Sequence, residues 1–399
     1  MKRALFALAL LSGSAVLAAE PDDRGRYLAT AGDCMPCHTK PGGTPFAGGR
    51  AIETPFGTLY SANITPDRDN GLGGWSPDQF YRALHEGVDA EGRHLYPAFP
   101  YNYFNKISRE DSDALFAYLK TLQPAKEAPP PNELKWPFSM RWLMIGWNLL
   151  FLDKDGFKTD NSQSAEWNRG AYLVNGPEHC GTCHTPMNMF GAPKTSANLR
   201  GGLFAESFAP DLSTNKKTGI GSWKTDEIIA FLKTGRNAHA NASADMGEVV
   251  ERSTSMLTDE DLHAIAIYLQ TLSPSSEDSV DKPSKEQMRL GEDVFTDNCS
   301  ACHQAKAEGV PTLFPPLEHS AEVQQRDATM LIHVILTGTR TASTEKAPTA
   351  VSMPGYHWKL SDEQIAAVTS YIRNSWGNSA SSVSAKDVAD LRKKLVKEP

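Results

Sequence analysis

Six cysteines and three histidines carry the chemistry that this 399-residue chain could do. Cys34 and Cys37 precede His38, Cys180 and Cys183 precede His184, and Cys299 and Cys302 precede His303, so every cysteine falls in a Cys-x-x-Cys-His unit and none remains for a disulfide. Two thiols three positions apart on a helical turn can each form a thioether to a haem vinyl group, and the adjacent His then presents its imidazole to the iron. A zinc site would need two further ligands for each pair. A thioredoxin-like redox pair would be expected inside a βαβ unit. Three copies with no spare cysteine imply three covalently bound haems c, with His38, His184 and His303 as axial ligands.

The segments around the motifs repeat and define the elements that must position them. Upstream of each lies an aromatic-bearing helix: RGRYLATAGDC with Gly25 and Tyr27, RGAYLVNGPEHC with Gly170 and Tyr172, and MRLGEDVFTDNC with Gly291 and Phe295. Downstream, each unit closes with an amphipathic helix opening on a capping signal, at Ser108, Thr258 and Ser361. Leu115, Tyr118, Leu119 and Leu122 recur at helical spacing in the first closing helix, as do Ile265, Tyr268, Leu269 and Leu272 in the second. The expected fold is therefore all-α, with three tandem cytochrome c-like domains of two crossing helices around each haem. The first two copies share a further stretch, NITPDRDNGLGGW and APDLSTNKKTGIGSW, that the third lacks; Trp75 and Trp223 in it are read as packing residues rather than electron relays.

Pro- and Ser-rich stretches set the boundaries. They place a signal peptide at 1–19, the first domain at 20–125, a linker with an apolar segment at 126–163, the second domain at 164–273, a linker at 274–284, the third domain at 285–378 and a C-terminal tail at 379–399.

Electron-transfer haems c usually complete the iron with a Met thioether, which favours the ferrous state. Met246 and Met353 stand between motif and closing helix in the second and third units; Met256 is the second unit's runner-up, read as a packing residue because it sits in the run-in to the closing helix. The corresponding place in the first unit is Phe99, which cannot ligate iron. Its sixth ligand then comes from elsewhere, with Met144 favoured over Met140, His94 and His85, or the site is open.

The opening MKRALFALALLSGSAVLAAE has the charged start, apolar run and small residues of a secretory signal peptide, and an apolar core of about 15 residues is short for the roughly 20 that span a bilayer. Without it the chain has 38 basic and 48 acidic side chains, a balance that argues against nucleic acid as a partner. The stretch from Trp136 to Leu152 is strongly apolar yet too short to span; it could pack between domains or lie against a partner or membrane interface. The C-terminal SAKDVADLRKKLVKEP is a weaker surface-helix candidate of the same kind.

CMPCHTKPGGTPFAGG, TPFGTLYSANITPDRDNGLGGW, GRHLYPAFPY, RWLMIGWNLLF and GTCHTP together resemble the three-haem cytochrome c subunits of bacterial membrane-associated dehydrogenases that serve alcohol, gluconate, fructose and related substrates. The resemblance implies a periplasmic electron-transfer subunit, peripheral on the inner membrane and not an enzyme on its own. Its donor would be a flavin, quinoprotein or molybdenum catalytic subunit and its acceptor ubiquinone or a terminal cytochrome. Relatives with Met at the place of Phe99 leave the first haem as the point of departure. A multihaem peroxidase or reductase with an open first haem is the competing enzyme class, and a free shuttle cytochrome the competing carrier.

Overall fold

A computed structural model describes residues 21–204, 206–276 and 279–396, so the signal-peptide reading falls outside the described residues. In the first unit the chain forms α1 (Pro21–Ala31), α2 (Cys34–Cys37), α3 (Pro77–Glu86), α4 (Tyr101–Phe104) and α5 (Arg109–Thr121). A connecting helix α6 (Leu143–Phe151) follows. The second unit holds α7 (Ala165–Asn175), α8 (Gly181–His184), α9 (Thr225–Thr234), α10 (Ala244–Arg252) and α11 (Asp259–Leu269). The third holds α12 (Lys285–Asn298), α13 (Ser300–His303), α14 (Thr329–Thr337), α15 (Asp362–Ile372) and α16 (Ala385–Leu395).

The expectation of an all-α chain is corrected: the fold is helix-rich with three small antiparallel sheets. In β1 (Ala51–Thr54), β2 (Gly57–Tyr60) and β3 (Glu133–Leu134), β-branched and aromatic residues flank a tight turn that needs Gly57 at a φ of 124°. Because β3 pairs with β2, part of the expected linker is a strand of the first unit's sheet. The other sheets pair β4 (Arg200–Phe204) with β5 (Ser207–Asp211) and β6 (Gly338–Arg340) with β7 (Ser352–Pro354).

Three times the first long helix of a unit crosses the capped closing helix: α1 on α5, α7 on α11, α12 on α15. Each crossing is made at a glycine. A Cβ on Gly25 would lie 2.1 Å from the Ala114 carbonyl oxygen, on Gly170 1.9 Å from that of Ala264, and on Gly291 2.3 Å from that of Ala367. Only a hydrogen fits between backbones that close. Around each crossing sits a separate apolar core, with Leu28, Leu84, Leu115 and Leu119 in the first, Leu173, Val174, Leu262 and Ile265 in the second, and Phe295, Leu336, Ile365 and Val368 in the third. The C-terminal segment expected as a tail carries α16, whose Val388 and Leu391 bury into the third core, so its apolar face is covered by its own unit.

The closing helices are capped as their sequences predict: Ser108 accepts from the Asp111 amide, Thr258 from the Asp261 amide and Ser361 from the Gln364 amide. Asp111 and Asp261 carry a second duty. Arg24 donates to Asp111, and so does Tyr172 of the second unit; Arg169 donates to Asp261, and so does Tyr27 of the first. In the third unit the same position is Gln364, whose side chain turns back onto the Ser361 amide. The third unit instead meets the second through Gln325, which donates to the Thr218 carbonyl and accepts from the Asp211 amide.

Trp75 packs against the first core, and Trp223 stacks on His239 with ring centroids 5.3 Å apart, which is the packing role expected for both. The apolar stretch between the first two units is divided. Trp147 and Leu152 are buried with Tyr101 and Ala192, while Trp142, Ile145, Leu149 and Leu150 face outward.

Candidate functional site

Each Cys-x-x-Cys-His motif occupies a single helical turn directly after the first long helix of its unit. In the first two units the turn is entered through a left-handed residue, Asp33 at φ 48° and His179 at φ 37°, which folds the chain sharply toward the crossing. In the third, α12 runs on to Asn298 and no such residue precedes Cys299.

The three histidines share one geometry. His38 Nδ1 lies 2.6 Å from the Ala62 carbonyl oxygen, His184 Nδ1 2.7 Å from that of Pro210, and His303 Nδ1 3.0 Å from that of Pro315. A carbonyl can only accept, so in each ring Nδ1 carries the proton and Nε2 is left with its lone pair, the state in which imidazole binds a metal. Burial lowers the basicity of all three. The same three carbonyls also fix the plane of each ring.

Five of the six cysteines are partly covered, and Cys302 is exposed. Burial pushes Cys34 and Cys183 up to about 12, Cys37 to about 11 and Cys299 to about 12, and raises Cys180 as well. A thiol raised in this way is a poor nucleophile and a poor thiolate ligand, which disfavours a redox pair in the first two motifs. Among the described residues no three His, Cys, Asp or Glu side chains form a group that could hold a metal ion directly. The first cysteine of each pair borders an apolar core beside an oriented imidazole, which fits thioether attachment to a large apolar ring: Cys34 borders the first core, Cys180 the second and Cys299 the third.

The methionines expected as sixth ligands are placed unequally. Met353, on β7, packs against the same core as Cys299. Met246, on α10, is half-buried in a satellite cluster with Phe231, Ala242, Val250 and Ala342 rather than in the core that Cys180 borders. Met144 joins the cluster of Tyr101 and Trp147 that Leu95 and Phe99 also border, and Phe99 borders the first core as well. His85 has Nε2 committed to the Ile107 carbonyl at 2.8 Å and stacks on Tyr81, and His94 turns Nδ1 toward the Asn148 amide. Met256, expected to pack, is 57% exposed.

Charged residues between the first two motifs were not legible beforehand. Arg50 forks onto Glu248 of the second unit. Asp33 has one carboxylate oxygen buried without a partner, and burial with Glu248 nearby pushes it up to about 7. Glu178 is buried with only the Ser253 hydroxyl for company and is held well above the ordinary carboxylate range by burial and by Asp33. Their signal, a charged residue just ahead of each of the first two motifs, says nothing of burial until the two units are brought together.

Helix pairs crossing at glycine, apolar cores and Cys-x-x-Cys-His turns with oriented histidines define a cytochrome c, and the cytochrome c family profile matches residues 288–376. The chain is 39% identical over 97% of its length to the gluconate 2-dehydrogenase cytochrome c subunit of Pantoea cypripedii, covering 94% of that protein. It is 39% identical to the cytochrome c subunit of the quinone alcohol dehydrogenase of Gluconacetobacter polyoxogenes, over 97% of this chain and 88% of that one. Identity to the fructose dehydrogenase cytochrome subunit of Gluconobacter japonicus is 34%, over 92% and 82%. The chain belongs to this family of dehydrogenase cytochrome c subunits.

Proposed function

We propose that this protein is the electron-transfer subunit of a periplasmic dehydrogenase held at the inner membrane, carrying three haems c in three tandem cytochrome c domains. It takes electrons from a flavin, quinoprotein or molybdenum catalytic subunit and delivers them to ubiquinone or another respiratory acceptor. The observation that carries the reading is the threefold recurrence of one histidine geometry, Nδ1 donating to a backbone carbonyl beside a Cys-x-x-Cys turn.

A haem c supplies one-electron chemistry at its iron, and the protein sets its potential by axial ligand, burial and hydrogen bonding. In this reading Cys34 and Cys37, Cys180 and Cys183, and Cys299 and Cys302 hold the three groups. His38, His184 and His303 are the proximal ligands. Met246 and Met353 complete the second and third irons, and Met144 the first. The chain's own groups perform no bond chemistry on a substrate, in keeping with relatives that are cytochrome subunits of dehydrogenases.

Association with a membrane surface is supported by Trp136, Trp142, Ile145, Leu149 and Leu150, which stand exposed on a stretch with Arg141 as its one charged residue. No helix among the described residues is long and apolar enough to cross a membrane. Exposed apolar and tryptophan side chains suit an interfacial contact.

The test is the mass of the secreted protein together with its partners. The expected product carries three haems, loses a single one in the Cys180→Ala, Cys183→Ala variant, and copurifies from membranes with a dehydrogenase subunit whose substrate reduces it. A chain carrying fewer haems, or an uncomplexed soluble one, overturns the reading. Ferrous protein that binds carbon monoxide at the first haem would instead point to the open-site peroxidase or reductase.

A further inference from the structure

Helix α10 carries Met246, yet much of what holds it comes from outside the second unit. At its entrance Ser243 bridges to Thr341, and the Ala342 amide donates to the Ala242 carbonyl at 2.9 Å, both partners lying in the third unit. The next residue, Ala244, is left-handed at φ 50°, a conformation that costs a residue with a Cβ. Toward the far end the Ser343 amide donates to Glu251 at 2.6 Å. On its other side the first unit takes hold. Arg50 donates through both terminal nitrogens to the two oxygens of Glu248, each at 2.8 Å, and one of those nitrogens also reaches the Pro36 carbonyl at 3.1 Å.

Pro36 lies inside the first Cys-x-x-Cys turn, and Glu248 stands two residues past Met246. One guanidinium therefore ties the turn that would hold the first haem to the helix that would supply the second haem's methionine. The pair is about two-thirds buried on both sides, and a bidentate fork of this kind fixes orientation as well as distance. Met246 packs only in a satellite cluster to which the third unit's Ala342 contributes. Its own core does not grip it.

We infer that Arg50 is a positioning residue for the second haem, holding α10 at the distance and rotation from which Met246 reaches the iron. The inference rests on Met246 being that ligand, and it adds that the ligation is set by the first unit. Removing the fork frees α10 to tilt about its strained entrance, weakens the methionine bond and opens the second iron to small ligands.

The experiment uses the full chain with its haems in place and reads ferric spectra and imidazole binding in Arg50→Met, Arg50→Lys, Glu248→Gln and Met246→Ala. The expected result for Arg50→Met and Glu248→Gln is a loss of part of the Met-to-ferric-iron charge-transfer band and imidazole uptake by one haem roughly tenfold tighter than in the parent, the factor that one lost charge-assisted bond supplies. Arg50→Lys recovers part of the band, since it keeps the charge without the fork. Neither change is additive to Met246→Ala. Folded Arg50→Met or Glu248→Gln protein with an unaltered band and unaltered imidazole uptake overturns the inference and leaves Arg50 a staple between units. If Arg50→Met does not fold, the near-isosteric Glu248→Gln alone decides. A band unchanged in Met246→Ala is a different failure, since it removes Met246 as the ligand whatever Arg50 does.

Discussion

Tyr27, on the first helix of the first unit, donates its hydroxyl to Asp261 at the head of the second unit's closing helix, 2.6 Å away. Tyr172 returns the bond to Asp111, and each hydroxyl also accepts from the helix-capping residue's amide, Thr258 for Tyr27 and Ser108 for Tyr172. The two carboxylates serve as sockets, each filled by an arginine of its own unit and a tyrosine of the other.

Tyr27→Phe and Tyr172→Phe are each expected to lower stability by about 1.5–3 kcal/mol, the range for a hydrogen bond to a charged group. Denaturant titration of the haem-loaded chain measures it. Shifts that fall within error in both variants would mean that the crossed bonds do not hold the units together.

Gly170→Ala is expected to cost about 3 kcal/mol or more, because the new methyl would sit 1.9 Å from the Ala264 carbonyl and 2.9 Å from Tyr268 Cβ, with neither backbone able to yield. The second unit should lose its haem or its protection from proteolysis ahead of the others. A parent-like unfolding midpoint would show that the helices do not cross this closely.

Asp33 gives a pH dependence of definite sign. Its folded carboxyl is raised to about 7 by burial, so in the fold it keeps a proton that the unfolded chain releases near pH 4. Stability contributed by this group is therefore lost as pH rises from about 4 to about 7. Asp33→Asn, which tolerates the left-handed backbone, should stabilise the chain by roughly 2 kcal/mol more at pH 8 than at pH 5. An equal effect at the two pH values would mean that Asp33 is already ionised at pH 5.

Met144→Ala should turn the first haem high-spin in the ferric state and admit carbon monoxide in the ferrous state, since Met144 borders the same cluster as Phe99, which also borders the first core. An unchanged spectrum would exclude Met144 as the ligand.

The chemistry-bearing residues and the crossing helices were legible because their signals are local. A Cys-x-x-Cys-His turn, a Ser or Thr cap and an apolar stripe are each written within a dozen residues, and Gly25, Gly170 and Gly291 each stand in the helix ahead of their motif. The small sheets were missed because β1 and β2 are four residues each and β3 pairs from more than seventy positions away, which leaves no periodicity to read. Arg50 and Glu248 are separated by 198 positions, and nothing at either end marks the other. The C-terminal helix has the amphipathic pattern of a surface element, but a stripe does not say which surface covers it, and the third core does.

A contact in which each member offers what the other lacks is the pattern of a two-fold dimer, and such a contact saturates itself. Asp111 and Asp261 each receive one tyrosine, and the pair has no vacant socket left for a further copy. Gln364 in the third copy offers no carboxylate at all. Repetition of this module therefore cannot grow an open-ended array by its own joint: it closes after two, and a third copy can be added only through a separately evolved attachment.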